Sequence, residues 1–327
     1  MISMHPGIPM SNPSNYQFHK FSQFDSTAIQ AVYPGVTTVQ LEPGSIEGWI
    51  RAATIDQVRI NTGTLNRAAL YEGSYNDDMI NVGFILNPDS TAVVHGHGYG
   101  AGTVSVDVGD VYLHEAYPAN MIWAGISIPE EVLLEDLKAH HATLRSYRHL
   151  ALKGPREDLE LLVKLTHNCV DPKSGTRKAD AKRLSARVLS AIRELLSSRL
   201  ESATHDLPYA EGDKFLMHLV KASHQLSEES GHQPLSLSEI CKATGMKSRT
   251  LQKYFKELYG MGPTEYFRTR RLNAVRSALM KADSKTTRVN ETAEQWGFDH
   301  LGRFSVRYRH MFGESPSKTL NRTNYRD

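Results

Sequence analysis

Two short stretches of this 327-residue chain carry side chains suited to reading nucleic acid. One holds Arg249, Gln252, Lys253 and Lys256, and the other Arg303, Ser305, Arg307 and Arg309. Arginine or lysine can bind guanine O6 and N7, and glutamine adenine N6 and N7; each good bidentate pair adds ~1–3 kcal/mol of discrimination. In the first stretch Leu251, Phe255 and Leu258 recur at helical spacing, which makes them the inner face and turns the polar residues outward. Phe304, Tyr308 and Met311 do the same in the second. Register then assigns Arg249, Gln252, Lys253, Arg303, Ser305 and Arg307 to base edges. Lys256 and Arg309 are assigned to phosphate, as are Arg268 and Arg271 between the two stretches, because half to two-thirds of protein–DNA hydrogen bonds go to phosphate and sugar. A structural pair is the competing role for Arg268 and Arg271.

The two stretches are copies of one pattern. Residues 251–263 return 53 positions later as residues 304–316. Phe255 answers Tyr308, Tyr259 answers Phe312, Gly260 answers Gly313 and Pro263 answers Pro316. Each copy reads as an amphipathic helix closed by glycine and stopped by proline. A shorter helix precedes each. Residues 237–244 run into Gly245, with Ser248 placed to cap the next helix; residues 290–296 run into Gly297, with Asp299 as the cap. Helix, glycine turn, capped helix is the plan of a helix-turn-helix. A helix through Tyr266, Leu272, Val275 and Leu279 joins the pair.

At these residues the chain resembles the AraC/XylS family of bacterial transcription regulators. The resemblance rests on Gly245-Met246-Lys247-Ser248-Arg249-Thr250-Leu251, Gly260-Met261-Gly262-Pro263, Arg271-Leu272, Gly297-Phe298 and Phe312-Gly313-Glu314-Ser315-Pro316, and covers about 213–322. It implies two helix-turn-helix subdomains that place one helix each in adjacent major-groove turns. It also implies a barrel-like effector or dimerisation domain ahead of them, and activation through RNA polymerase. The variant His300-Leu301-Gly302-Arg303-Phe304 is similar to a branch that includes ethanolamine-type regulators. Gly302 and Val306 stand where the family often has a small polar residue and an arginine, so contacts of the second recognition helix depart from the family pattern.

The N-terminal half offers weaker chemistry. His95-Gly96-His97 on a strand would put two imidazoles on one side, as in cupin metal sites, but no carboxylate follows closely and only His114 is available as a third ligand. The reading favours a glycine-rich loop with surface histidines, hence no metal and no cofactor. Arg51, Arg59 and Arg67 are three of the four basic residues in the acidic segment 1–125 and are candidates to hold a small anionic effector. Ion pairs with Asp56, Glu72, Asp77 or Asp78 are the plainer alternative. No phosphate loop or nucleophile elbow is present.

These residues need elements to position them. Short runs at 37–41, 55–60, 81–86 and 103–108 between Gly and Pro punctuation predict strands. From Pro129 the texture turns helical, with apolar residues from Leu184 to Leu200 at 3.6-residue spacing that can pack on their own domain or on a partner copy. The expectation is an α+β chain of two domains: a cupin-like N-terminal β-barrel with flanking helices, and an all-α double helix-turn-helix. Its divisions are a flexible lead-in over 1–30, the effector or dimerisation domain over 31–205 with helices from about 130, a linker at 206–212, and the DNA-binding domain over 213–322. Charge follows the same split: Lys and Arg number 4 against 11 acids over 1–125, but 20 against 13 over 211–327, so the C-terminal end is the one suited to a polyanion.

Only Cys169 and Cys241 are present, no run spans a membrane, and the opening residues lack a secretory leader, so a cytoplasmic protein is expected. Together these point to a sequence-specific regulator of double-stranded DNA, not an enzyme, controlled at its N-terminal domain by a small molecule or partner and forming a candidate homodimer. The alternative is a cupin-type metalloenzyme with a DNA-binding appendage.

Overall fold

Apolar alternation along short segments builds the N-terminal half from antiparallel strands. In the computed structural model, which describes residues 14–21, 33, 35–74, 78–109, 111–134, 149–153, 156–170, 178–202, 220–222, 224–227, 229–231 and 233–322, they are β1 (Ser14–Phe21), β2 (Val36–Gln40), β3 (Gly48–Ile55), β4 (Val58–Leu65), β5 (Ala69–Ser74) and β6 (Met79–Ile85). Then follow β7 (Thr91–Val94), β8 (His97–Gly100), β9 (Thr103–Val108), β10 (Tyr112–Tyr117), β11 (Ile122–Pro129) and β12 (His149–Lys153). One sheet has the order β1-β3-β4-β11-β6-β9-β12 and the other β2-β5-β10-β7-β8.

Among the described residues neither sheet closes, so the expected barrel is corrected to two open sheets face to face. The reason lies in what covers them. Ile50, Ala52, Leu65, Leu113 and Trp123 fill the space between the sheets. On the far side of the larger sheet, Val58, Ile60, Val82, Val104, Val106 and Ile126 meet helices. Those helices are α1 (Glu130–Leu134), α2 (Arg156–Val170) and α3 (Lys178–Ser202). With both faces covered, closure is not needed to hide apolar surface. The α3 stripe, including Val188, Ile192 and Leu196, is spent on this intramolecular core.

Three local expectations change. Strand β1 lies within the expected lead-in and pairs with β3 from Ser14 opposite Ile55 to Phe21 opposite Gly48. The run 55–60 is no single strand: Asp56 turns at φ 53° and joins β3 to β4. Strand β12 sits where only helix was expected, and its alternation sends Leu150 and Leu152 under the helices and His149 to the other face. The expected linker at 206–212 lies outside the described residues.

The C-terminal half contains α4 (Leu237–Thr244), α5 (Ser248–Tyr259), α6 (Pro263–Lys281), α7 (Val289–Gln295), α8 (Leu301–Phe312) and α9 (Pro316–Asn321). Helices α5 and α8 start and stop 53 residues apart, and each ends on a left-handed glycine, Gly260 and Gly313, both at φ 73°. Neither helix is capped as expected. Ser248 is already the first helical residue, and His300, one residue past Asp299, occupies the cap position; neither N-terminus has a side-chain cap. The capping box lies instead at Ser236 and Glu239, ahead of α4. Helix α6 is buried on nearly all sides, from Tyr266 through Leu272 and Val275 to Leu279, because it packs on both helical subdomains and on β2.

Candidate nucleic-acid interface

Each of the two long helices divides cleanly into a buried and an open face. In α5, Leu251, Phe255, Leu258 and Tyr259 are buried, whereas Arg249, Gln252, Lys253, Lys256 and Glu257 are exposed. Arg249, Lys253 and Lys256 follow i, i+4, i+7 spacing and so form one basic stripe. Lys253 pairs with Glu257 at 3.8 Å on the surface, and Lys256 Nζ donates to the Gly260 carbonyl at 2.6 Å. In α8, Phe304, Tyr308, Met311 and Phe312 are buried, and Arg303, Ser305, Arg307, Arg309 and His310 are exposed. The open face of α8 centres on Val306, 71% exposed, at the position that departs from the family pattern. An exposed valine there is suited to touch a thymine methyl group in the major groove.

Of the two basic residues expected at phosphate on the linker helix, one is taken up inside the domain. Arg271 is buried, donates to the carbonyls of Trp296 and Gly297 at 3.2 and 3.0 Å, and stacks over Phe298 at 4.9 Å. Burial and the nearby Arg268 bring its guanidinium down to about 10. It ties α6 to the second helical turn, and its phosphate assignment is therefore replaced by the structural role. Arg268 is half-buried against Glu265 at 2.5 Å. A second buried network holds α9: Arg276 meets Glu314 at 3.1 Å, Arg322 meets it at 2.5 Å, and Thr319 donates to it at 2.9 Å. These partners carry no helical-period signal, so spacing alone did not reveal them.

The smaller sheet grips both helical subdomains. Asn273 accepts from the Gln40 backbone N–H at 2.9 Å and donates to the Gln40 carbonyl at 3.0 Å, covering the edge of β2. The Met311 carbonyl, in the last turn of α8 where the helix supplies no partner, accepts from Gln40 Nε2 at 2.9 Å and from the Gly44 backbone at 3.0 Å. Arg270 donates to Glu72 at 2.7 Å, and that pair outweighs burial to hold the Glu72 carboxyl below its usual range. His114 Nε2 and the Tyr259 hydroxyl share a hydrogen bond of 2.7 Å. Burial brings His114 down to about 4 and His224, beside Tyr266 and Glu72, to about 3.

Beside this contact lies a cleft of about 530 Å³, apolar along Leu41, Met261 and Leu272 and of mixed charge, with Arg268, Arg307 and His310 beside Glu42 and Glu265. Arg307 therefore flanks the sheet-facing side of α8. The three arginines expected to hold an anion do not converge. Arg51 pairs across from Thr62 and Arg59 from Thr54, which puts them on opposite faces of one sheet, while Arg67 sits in a loop and donates to the Asn66 carbonyl. The histidine reading changes too. His95 and Gly96, at φ 48° and 94°, form the turn between β7 and β8, and His95 is buried rather than on the surface. The His114 ring bonds Tyr259 of the helical domain.

Comparison with known proteins agrees with this geometry. Residues 240–322 match the helix-turn-helix domain family. The chain is 32% identical over 134 residues to a probable thc operon regulatory protein of Rhodococcus erythropolis, covering 40% of each chain. It is 37% identical over 97 residues to XylDLEGF operon transcriptional activator 2 of Pseudomonas putida, covering 30% of this chain and 62% of that one. The chain thus spans less than two thirds of the length of these curated relatives. Among solved structures, the AraC-like transcriptional activator CuxR aligns with 80% of this chain and 94% of its own at 16% identity and a TM-score of 0.43.

Proposed function

We propose that this chain, whose residues 240–322 match the helix-turn-helix domain family and resemble the AraC/XylS regulators, is a sequence-specific regulator of double-stranded DNA governed by its N-terminal sheets. The observation that carries this reading is the repeated helix with a basic open face, twice set against a fully buried apolar face. Arg249, Gln252 and Lys253 in α5, and Arg303, Ser305 and Val306 in α8, read base edges; Arg307, the third base reader expected in α8, is exposed but lines the cleft beside the sheet. Lys256 and Arg309, one turn further along, hold phosphate.

Control acts through the contact between the sheet and the helices. Because Gln40 and Gly44 hold the end of α8 while Glu72 and His114 hold α5 and α6, the sheet fixes both recognition helices at once. A small molecule in the adjoining cleft would meet Arg307 and His310 as open basic groups, with Arg268 already paired to Glu265 and Glu42 also in the lining. It shifts the protein only in so far as it binds the docked and undocked arrangements with different affinity.

Selection of binding sites from a random DNA pool by the full chain tests the proposal. Enriched sequences should share a pattern spanning two successive major-groove turns, and their binding should weaken steeply with salt as counterions are displaced. Equal affinity for enriched and scrambled DNA would rule it out.

A further inference from the structure

Between the two sheets three ligand-type side chains converge in a buried interior. His95 comes from the turn after β7, Asp107 from β9 and His149 from β12, and one donor atom from each lies within 4.8 Å of the others. All three residues are at most 4% exposed. His149 Nδ1 lies 2.5 Å from Asp107 Oδ1, and His95 Nε2 lies 3.5 Å from the same oxygen. Glu115 on β10 adds a second carboxyl to this interior, held by the Tyr117 hydroxyl.

A simple charge pair between Asp107 and His149 accounts for only part of this. It leaves His95 Nε2 buried with only a long, 3.5 Å contact to Asp107, short of a full hydrogen bond, which costs free energy that burying a nonpolar side chain would avoid. It also leaves unexplained why a non-glycine residue is held at φ 48° to aim that ring inward. The third imidazole atom in play is already oriented: His149 Nε2 shares a 2.7 Å hydrogen bond with the Tyr99 hydroxyl. Fixing the far nitrogen of a ligand imidazole is how metal sites set tautomer and ring direction.

We infer that His95, Asp107 and His149 form a binding site for a divalent transition-metal ion of the zinc type, buried between the two sheets. Two imidazole nitrogens and one carboxylate oxygen suit zinc and its neighbours rather than magnesium or calcium, which take oxygen donors. A tetrahedral ion bonded at ~2.0–2.2 Å holds its ligand atoms roughly 3.4 Å apart. The His95 to Asp107 separation already fits, and a small side-chain rotation opens the Asp107 to His149 one. Asp107 is the acid, and His149 the second histidine, that a search confined to the neighbourhood of His95-Gly96-His97 could not find, since they lie on different strands.

The test uses the full chain, stripped with a chelator and dialysed, then titrated with Zn²⁺ by calorimetry and with Co²⁺ by visible absorption. One ion per chain is expected, with the Co²⁺ spectrum reporting nitrogen and oxygen donors. Asp107→Asn and His95→Asn, both close in shape to the native residues, should each weaken binding at least ~10-fold, and Tyr99→Phe by ~10–100-fold. His97→Asn should bind as the unmodified chain does. Failure of the unmodified chain to take up a stoichiometric ion overturns the site, whatever the variants do. Uptake that survives Asp107→Asn, or is lost in His97→Asn alone, overturns the assignment of its ligands.

Discussion

The side chains of the helical domain divide by exposure and partners into proposed base readers, proposed phosphate holders and structural ties. Arg249 stands in the first turn of α5, exposed, so Arg249→Ala should lose ~1–3 kcal/mol at one base pair and relax preference there, read by competition binding with single-base variants of a selected site. Val306→Ala should lose about 1 kcal/mol at a thymine position and leave the salt dependence unchanged, since no charge is involved. Arg309→Ala should weaken all sequences alike and reduce the salt slope by about 1. Arg271 differs in kind. Removing its guanidinium leaves the Trp296 and Gly297 carbonyls without their donor, so Arg271→Ala should cost about 1–3 kcal/mol of folding stability in calorimetry, with the salt slope of DNA binding intact. An unchanged melting temperature with a shallower slope would restore the phosphate role.

The C-terminal ends of α5 and α8 were the most legible feature of the chain, because the 53-residue repeat states that end twice. The same repeat also held information that register alone missed. It aligns Arg307 with Tyr254, half-buried on the flank of α5, and Val306 with Lys253, at the centre of the open face. What the pattern could not reveal was contact between distant segments. Asn273 and Gln40 are 233 residues apart, and nothing in the period of α6 marks Asn273 as the partner of a strand edge. Strand β12 had a visible alternation, but five residues between helical stretches are too short to outweigh them. The two terminal glycines separate local from long-range effects. Both take a left-handed φ that costs an alanine ~1–2 kcal/mol. At Gly260 a Cβ meets nothing within 4 Å, whereas at Gly313 it comes within 3.2 Å of the Ser45 backbone nitrogen. Gly260→Ala should therefore lower stability only, while Gly313→Ala should lower it and also speed hydrogen exchange of residues 40–45, which hold the end of α8. Equal exchange in the two variants would show that this loop does not bear on the helix.

Across the whole molecule, the contact that fixes both recognition helices is built partly from histidines that must stay neutral. His114, brought down to about 4 by burial, faces Tyr259, His224, Glu72 and Arg270; His224, brought down to about 3, faces Tyr266, Glu72 and the same arginine. When the domains separate, both rings regain ordinary values near 6.5 and bind protons more readily. Their contribution to docking is therefore complete above about pH 6.5 and falls as pH drops toward 4, at about 1.4 kcal/mol per unit for each ring once below its free value. Glu72 behaves differently within the same contact. Its carboxyl is held below its usual range by Arg270, so that pair keeps its full contribution as the histidines begin to fail below pH 6.5 and weakens only once the pH falls below the free carboxyl value near 4.5. Small-angle scattering should show the chain extending between pH 6.5 and 4.5, before the sheets themselves unfold by circular dichroism. The double variant His114→Gln, His224→Gln keeps hydrogen-bonding groups at both positions but removes the titration, and should hold its dimensions across that interval. Extension of the variant along the same pH curve would assign the acid response to other groups and leave the two histidines as packing alone.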